Sequence, residues 1–172
     1  ILNSTVVEQT IDRDTRGRFA KELVLVRAPS TTHADGVPLA MIRKRDADRG
    51  GGTLGTVVLL HGYGQNRYAW HLPSRSIFNH LASAGFDVFN LELRGHGRSR
   101  HLGAHPPTNV TTFVQEDVPA AIEEVQAAAL RAAEGLDAAL KGGEREPEAL
   151  AGKCAEVERS CQALAATAGA GS

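Results

Sequence analysis

The feature that most constrains this chain is a pair of apolar runs joined by a helical segment. TVVLL, Thr56 to Leu60, is continuously apolar and rich in β-branched residues. Such a run suits a strand buried on both faces, as in a parallel sheet with helices on each side. In SRSIFNHLASAG, Ser74 to Gly85, the residues Ile77, Phe78, Leu81 and Ala84 recur at helical spacing, and Gly85 is a helix stop. FDVFNLEL, Phe86 to Leu93, is the next strand. Strand, helix, strand in this order is a βαβ unit and implies a parallel pair.

The flanks read differently. Residues 1–20 are polar and mixed and suit an arm or an edge strand. KELVLVRA, Lys21 to Ala28, and VPLAMIRK, Val37 to Lys44, are strand-like and separated by a turn segment, so they read as a hairpin. RDADRGGGTLG is a turn-rich connection to the βαβ unit. Beyond Thr111 the pattern is helical. Thr112 and Gln115 have capping-box spacing, and Pro119 marks a helix start or a kink. Ile122, Val125, Ala129, Ala132, Leu136 and Leu140 form an apolar stripe. After the break KGGEREP, a second stripe holds Leu150, Cys154, Val157, Cys161, Leu164 and Ala168. Two stripes across a short joint predict a helical hairpin over 127–172, ending in a flexible AGAGS tail.

Composition narrows the partners. The net charge is −1 over 172 residues, so no basic excess points to nucleic acid or an anionic membrane. No apolar run is long enough for a transmembrane segment. There are two cysteines, Cys154 and Cys161. Seven residues of helix separate them by roughly 10 Å, beyond disulfide reach, which favours a reducing, cytoplasmic setting. Ile1 rather than Met opens the chain, so an upstream piece is expected to have been removed or left out.

HGYGQN follows the first buried strand. Gly62 and Gly64 permit backbone geometry that a Cβ would forbid. A turn of this kind leaves N–H groups outside the sheet ladder. Such donors can stabilise the oxyanion of a tetrahedral intermediate, each worth about 3–4 kcal/mol. The alternative is a tight turn with no chemistry. RGHGRS, Arg94 to Ser99, is either a phosphate-holding turn or a structural turn at the end of a strand; the helix-opening dinucleotide fingerprint is absent, which favours the structural reading. His96, His101 and His105 invite a metal, but no carboxylate pair is spaced to complete a site, so no metal or other cofactor is expected. Tyr63, Tyr68, Trp70 and Phe78 are candidates either for an apolar substrate pocket or for core.

Taken together, VVLLHGYGQNRYAW, LASAGFDVFNLELRGHGRS and TFVQEDVPAAIEEV, in this order and spacing, resemble the N-terminal half of an α/β-hydrolase, more narrowly its esterase and lipase-like members. The resemblance covers roughly residues 21–126. It implies an α/β fold: a partial α/β-hydrolase sheet extended by the C-terminal helical hairpin. It also implies that the backbone of Tyr63 donates one oxyanion N–H, and that His61 braces the loop together with Gly62 and Gly64. The chain departs from the family at the nucleophile. No serine stands in Gly-x-Ser-x-Gly: Ser99 lies in GRSRH, Ser74, Ser76, Ser83 and Ser160 lack the flanking glycines, and Ser172 is the last residue. Nucleophile, acid and base have no matching positions. The expectation is therefore one part of a serine hydrolase acting on an ester, lipid or thioester. A second polypeptide or a continuation of the chain would complete the sheet and the triad, and the chain alone would be inactive. The alternative is a non-catalytic binding or scaffold protein that kept the sheet.

Overall fold

A computed structural model of the chain describes residues 1–31, 33–49 and 52–142, with side chains as far as residue 134. Ile1–Leu130 is one compact unit, and the rest of the described chain is the helical continuation to Gly142. The elements are β1 (Asn3–Thr10), β2 (Arg16–Ala28), β3 (Val37–Asp46), β4 (Thr56–Leu60), α1 (Ile77–Ser83), β5 (Asp87–Glu92), α2 (Gly97–His101) and α3 (Val118–Gly142). A 3₁₀ turn covers Arg67–Trp70 and a π turn covers Phe113–Asp117.

The five strands form one mixed sheet in the order β1-β2-β3-β5-β4. β2 and β3 are a hairpin, with Ala28 opposite Val37. β4 and β5 are parallel, as a βαβ unit requires, while β3 runs antiparallel to β5. The sheet is thus mixed, and one strand pair carries all of its parallel pairing.

Alternation along the strands builds two layers. On one face, Val24 and Val26 of β2, Leu39 and Met41 of β3, and Phe89 and Leu91 of β5 pack against Phe113 and against Ala120, Ala121, Val125 and Ala128 of α3. On the other face, Phe19, Ile42, Val88 and Leu59 pack against Phe78 and Ala82 of α1. Ser76 caps α1: its Oγ accepts from Asn79 N at 3.0 Å. Gly85 ends the helix at φ +103, a conformation glycine adopts without strain.

Three sequence expectations are corrected here. TVVLL is not buried on both faces. β4 is an edge strand, with Leu59 in the α1 layer but Val58 and Leu60 37% and 38% exposed. The apolar stripe of α3 holds at Val125 but is drawn one residue out of phase at Ile122 and Ala129. Ala121, Val125 and Ala128 are buried, whereas Ile122 and Ala129 face solvent. Alanine supplies most of that buried face, because a helix lies close to a sheet where its side chains are small, and Ile122 misleads by being larger. Thr112 forms no capping box; it has helical backbone angles and makes no side-chain cap. Asn109 does that work, its Oδ1 accepting from Thr111 N at 3.0 Å. Pro119 does mark the start of α3, as its second residue. It lies just past the π turn, where a missing N–H is tolerated. The predicted second helix, with Cys154 and Cys161, and the AGAGS tail lie outside the described residues.

Candidate active site

β4 and β5, being parallel, end side by side, and the two glycine-rich turns leave the sheet together there. The first turn is built by its own hydrogen bonds. Gln65 N donates to Gly62 O at 3.1 Å, closing a β-turn with Tyr63 and Gly64 at its corner. Gly64 has φ +76, the left-handed value that this corner position needs in a type II turn. Gly62 N donates to Gln65 Oε1 at 3.1 Å. The N–H of Tyr63 has no acceptor among the described residues.

His61 ties this loop to the sheet. Its ring is buried, with Nδ1 2.9 Å from Gly62 O and Nε2 3.2 Å from Leu93 N. A carbonyl can only accept and an amide can only donate, so the proton sits on Nδ1 and Nε2 is the acceptor. Burial pushes the imidazole pKa below its ordinary value, which keeps that neutral tautomer. Both nitrogens are committed, and neither is available as a base.

The second turn, Arg94–Gly97, is braced just as fully. Ser99 is fully buried; its Oγ donates to Glu92 O at 2.5 Å and accepts from Ala40 N at 2.9 Å, locking α2 onto β5 and β3. A short helix does open here, but Glu92 Oε2 already accepts from Arg98 N at 3.0 Å. A Cβ on Gly97 would overlap the Glu92 carboxylate. The carboxylate occupies the place a phosphate would need, which decides for the structural turn.

The three sequence stretches meet around four rings. His96 lies 5.0 Å from His61, 6.2 Å from Tyr63 and 5.9 Å from Phe113, centroid to centroid. A buried ion pair joins the second and third stretches. Arg94 donates to Asp117 through Nε at 2.6 Å and through its backbone N at 2.9 Å. Sequence reasoning placed neither His96 nor Phe113 in the loop's support and missed the Arg94–Asp117 pair. The signal was present only as the joint occurrence of the three stretches.

Other expected groupings do not form. Phe78 is core and Trp70 packs beside it on the α1 face, while Tyr63 belongs to the ring cluster with Phe113. Tyr63 is 80% exposed, so its side chain faces no acyl pocket in this structure. Among the described residues no group of three His, Cys, Asp or Glu side chains is close enough to hold a metal ion. No described helix is long and apolar enough to cross a membrane. Ser76 Oγ does lie 2.7 Å from His71 Nδ1, but it is buried and committed to capping α1. Burial, followed by Lys44, Lys21 and Arg67, pushes His71 down to about 4, too low for an effective base at neutral pH.

Residues 55–133 match the family model of the alpha/beta hydrolase fold. This chain therefore carries a partial alpha/beta-hydrolase fold. No curated protein was found to match it.

Proposed function

We propose that this chain is the oxyanion-loop part of a serine hydrolase acting on an ester, lipid or thioester. A continuation or a second polypeptide would add strands along β4 and supply nucleophile, acid and base. The observation that carries this is the composition of β4. Val58 and Leu60 extend the buried row of Phe89 and Leu91, their register partners, to an edge where both are more than a third exposed among the described residues. An apolar edge strand is a pairing surface. Directly beyond it stands the turn whose Tyr63 N–H has no acceptor. In acyl transfer that N–H would point at the carbonyl oxygen, with Gly62 and Gly64 shaping the turn and His61 bracing it.

The alternative, a non-catalytic binding or scaffold protein, draws on the serines. Ser99 and Ser76 are buried in structural hydrogen bonds, and no elbow sequence is present. The two readings separate on reconstitution. Mixed with the completing segment, the first gives fluorophosphonate labelling of a serine in that segment and turnover of activated acyl esters. Within that complex, Tyr63→Phe leaves turnover within a few-fold. Tyr63→Pro removes the N–H and lowers turnover about a hundred- to a thousand-fold. A folded Tyr63→Pro complex with normal turnover would refute the oxyanion assignment; labelling of a serine in this chain alone would refute the division of labour.

A further inference from the structure

Lys21 and Lys44 stand directly opposite each other on β2 and β3. Like charges in that relation repel. On the α1 face they line a cavity of about 80 Å³ together with Arg67, Tyr68, His71 and Asn90. Lys44 is 1% exposed. Its ammonium is met by the amide oxygens of Gln9 and Asn79, and by the ring of Phe78 with the centroid at 4.5 Å, all of them uncharged. Among the described residues neither lysine has a carboxylate within ion-pair distance. Arg67 has one, Glu92 at 2.6 Å. With both lysines protonated, three cations against one carboxylate leave a surplus of two positive charges around a largely enclosed space. Charges removed from water persist where a counter-charge is close.

We infer that this cavity binds a small oxyanion of the hydrogen phosphate type, held by Lys21, Lys44 and Arg67. Its size admits a group as small as inorganic phosphate and is well below that of an ordinary organic-ligand pocket, about 300 Å³ or more. Asn90 narrows the chemistry. It is fully buried, its Nδ2 donates to Arg67 O at 3.0 Å, and its Oδ1 has no donor. The hydroxyl of hydrogen phosphate supplies one, and sulfate at neutral pH does not. Tyr68, half exposed, stands at the rim where the anion enters. The site lies on the α1 face and is independent of the acyl-transfer reading.

Protonation supports it. Burial first, then Lys21 and Arg67, pushes Lys44 down to about 7. Around the cavity His71 is neutral, Gln9 and Asn79 are uncharged, and Glu92 is engaged by Arg67. An anion beside Lys44 reverses the balance and draws a proton onto it.

Inorganic phosphate titrated into the full chain, with ionic strength held by sodium chloride, tests this. Phosphate should raise Tm beyond the chloride control, and saturation should raise the Lys44 titration midpoint, followed by its side-chain NMR resonances, by about one pH unit or more. Lys21→Gln and Lys44→Met should each weaken phosphate binding about tenfold. Phenyl phosphate separates the sources: binding shows that a phosphate monoester of a larger molecule can be read at the rim, and its rejection assigns the free ion. No phosphate-specific rise in Tm overturns the site, as does an equal rise in folded Lys21→Gln. Lys21→Gln carries the test should Lys44→Met fail to fold, because Lys21 is only partly buried. Equal binding of sulfate overturns the hydrogen phosphate assignment.

Discussion

Arg43 and Lys44 are neighbours on β3 and point to opposite faces of the sheet. Both are buried cations. Arg43 is neutralised. It meets Asp87 through Nε at 2.8 Å and Nη2 at 2.6 Å, and Glu22 through Nη1 at 3.1 Å. Burial opposes its charge, but the hydrogen bond and charge of Asp87, followed by Glu22, outweigh that and raise its pKa above the ordinary value. Among the described residues Lys44 has only amides and rings, and burial, followed by Lys21 and Arg67, pushes it down to about 7. One face therefore closes its electrostatics within the chain and leaves its apolar layer open at Val58 and Leu60. The other closes its apolar layer with α1 and leaves its charge open. Each face is unfinished in a different respect, and the two proposals rest on these gaps: a strand along β4 on the first, an anion on the second.

The sharpest way to break this contrast is to remove a partner from the balanced face. Asp87→Ala strands the Arg43 guanidinium with Glu22 alone and should cost about 3–5 kcal/mol in urea unfolding. A loss under about 1 kcal/mol would mean that the pairing contributes little there.

The unbalanced face should respond to acid. The unfolded His71 imidazole takes a proton near 6.5, and the folded one only near about 4. Between those values the unfolded state binds the proton first. Stability is therefore fully present above pH 6.5 and is lost as pH falls toward 4. The ring is only half buried, so the loss is of order 1 kcal/mol after solvent screening. The slope of Tm between pH 6.5 and 4 should flatten in His71→Gln.

Lys44→Met should differ from Asp87→Ala in kind. It removes a charge that has no carboxylate partner, so stability at pH 7 should stay within about 1 kcal/mol of the parent. It should also abolish a pH effect. Unfolded Lys44 binds a proton below 10.5 and the folded form only below about 7, so the parent gains stability from this group as pH rises through that window. Equal slopes above pH 7 in parent and variant would contradict the assignment.

The smallest effect expected is at Ile122, on the exposed side of α3. Ile122→Ala should change stability by no more than about 0.5 kcal/mol, since Ile122 lies on the solvent side of the layer. Ala121→Leu should cost about 1–3 kcal/mol by overpacking against the sheet. The reverse order would restore the stripe drawn through Ile122.

Much of this was legible before folding. Period-two and period-3.6 patterns, with Gly85 as a stop signal, placed the β2–β3 hairpin, the βαβ unit and the end of α1, because these depend on neighbours a few residues apart. The HGYG turn was legible for the same reason: its glycines and its closing bond all lie within Gly62–Gln65. That supports the reading of Tyr63 as a donor but leaves its side chain unplaced.

What the tertiary structure decided is everything that depends on residues far apart in the chain. An apolar strand reads the same whether it lies inside a sheet or at its edge, so TVVLL gave no sign that Val58 and Leu60 would be partly exposed. The phase of α3 depended on how close the helix comes to the sheet, which favours Ala121 and Ala128 over Ile122. Lys21 and Lys44 are 23 residues apart and oppose each other only because the hairpin register puts them there. Arg43 finds Asp87 across 44 residues, and Arg94 finds Asp117 across 23. Hydrophobic periodicity reports which side of an element is apolar. It does not report which charges long-range pairing will bury together, and that is where this chain's balanced and unbalanced sites were set.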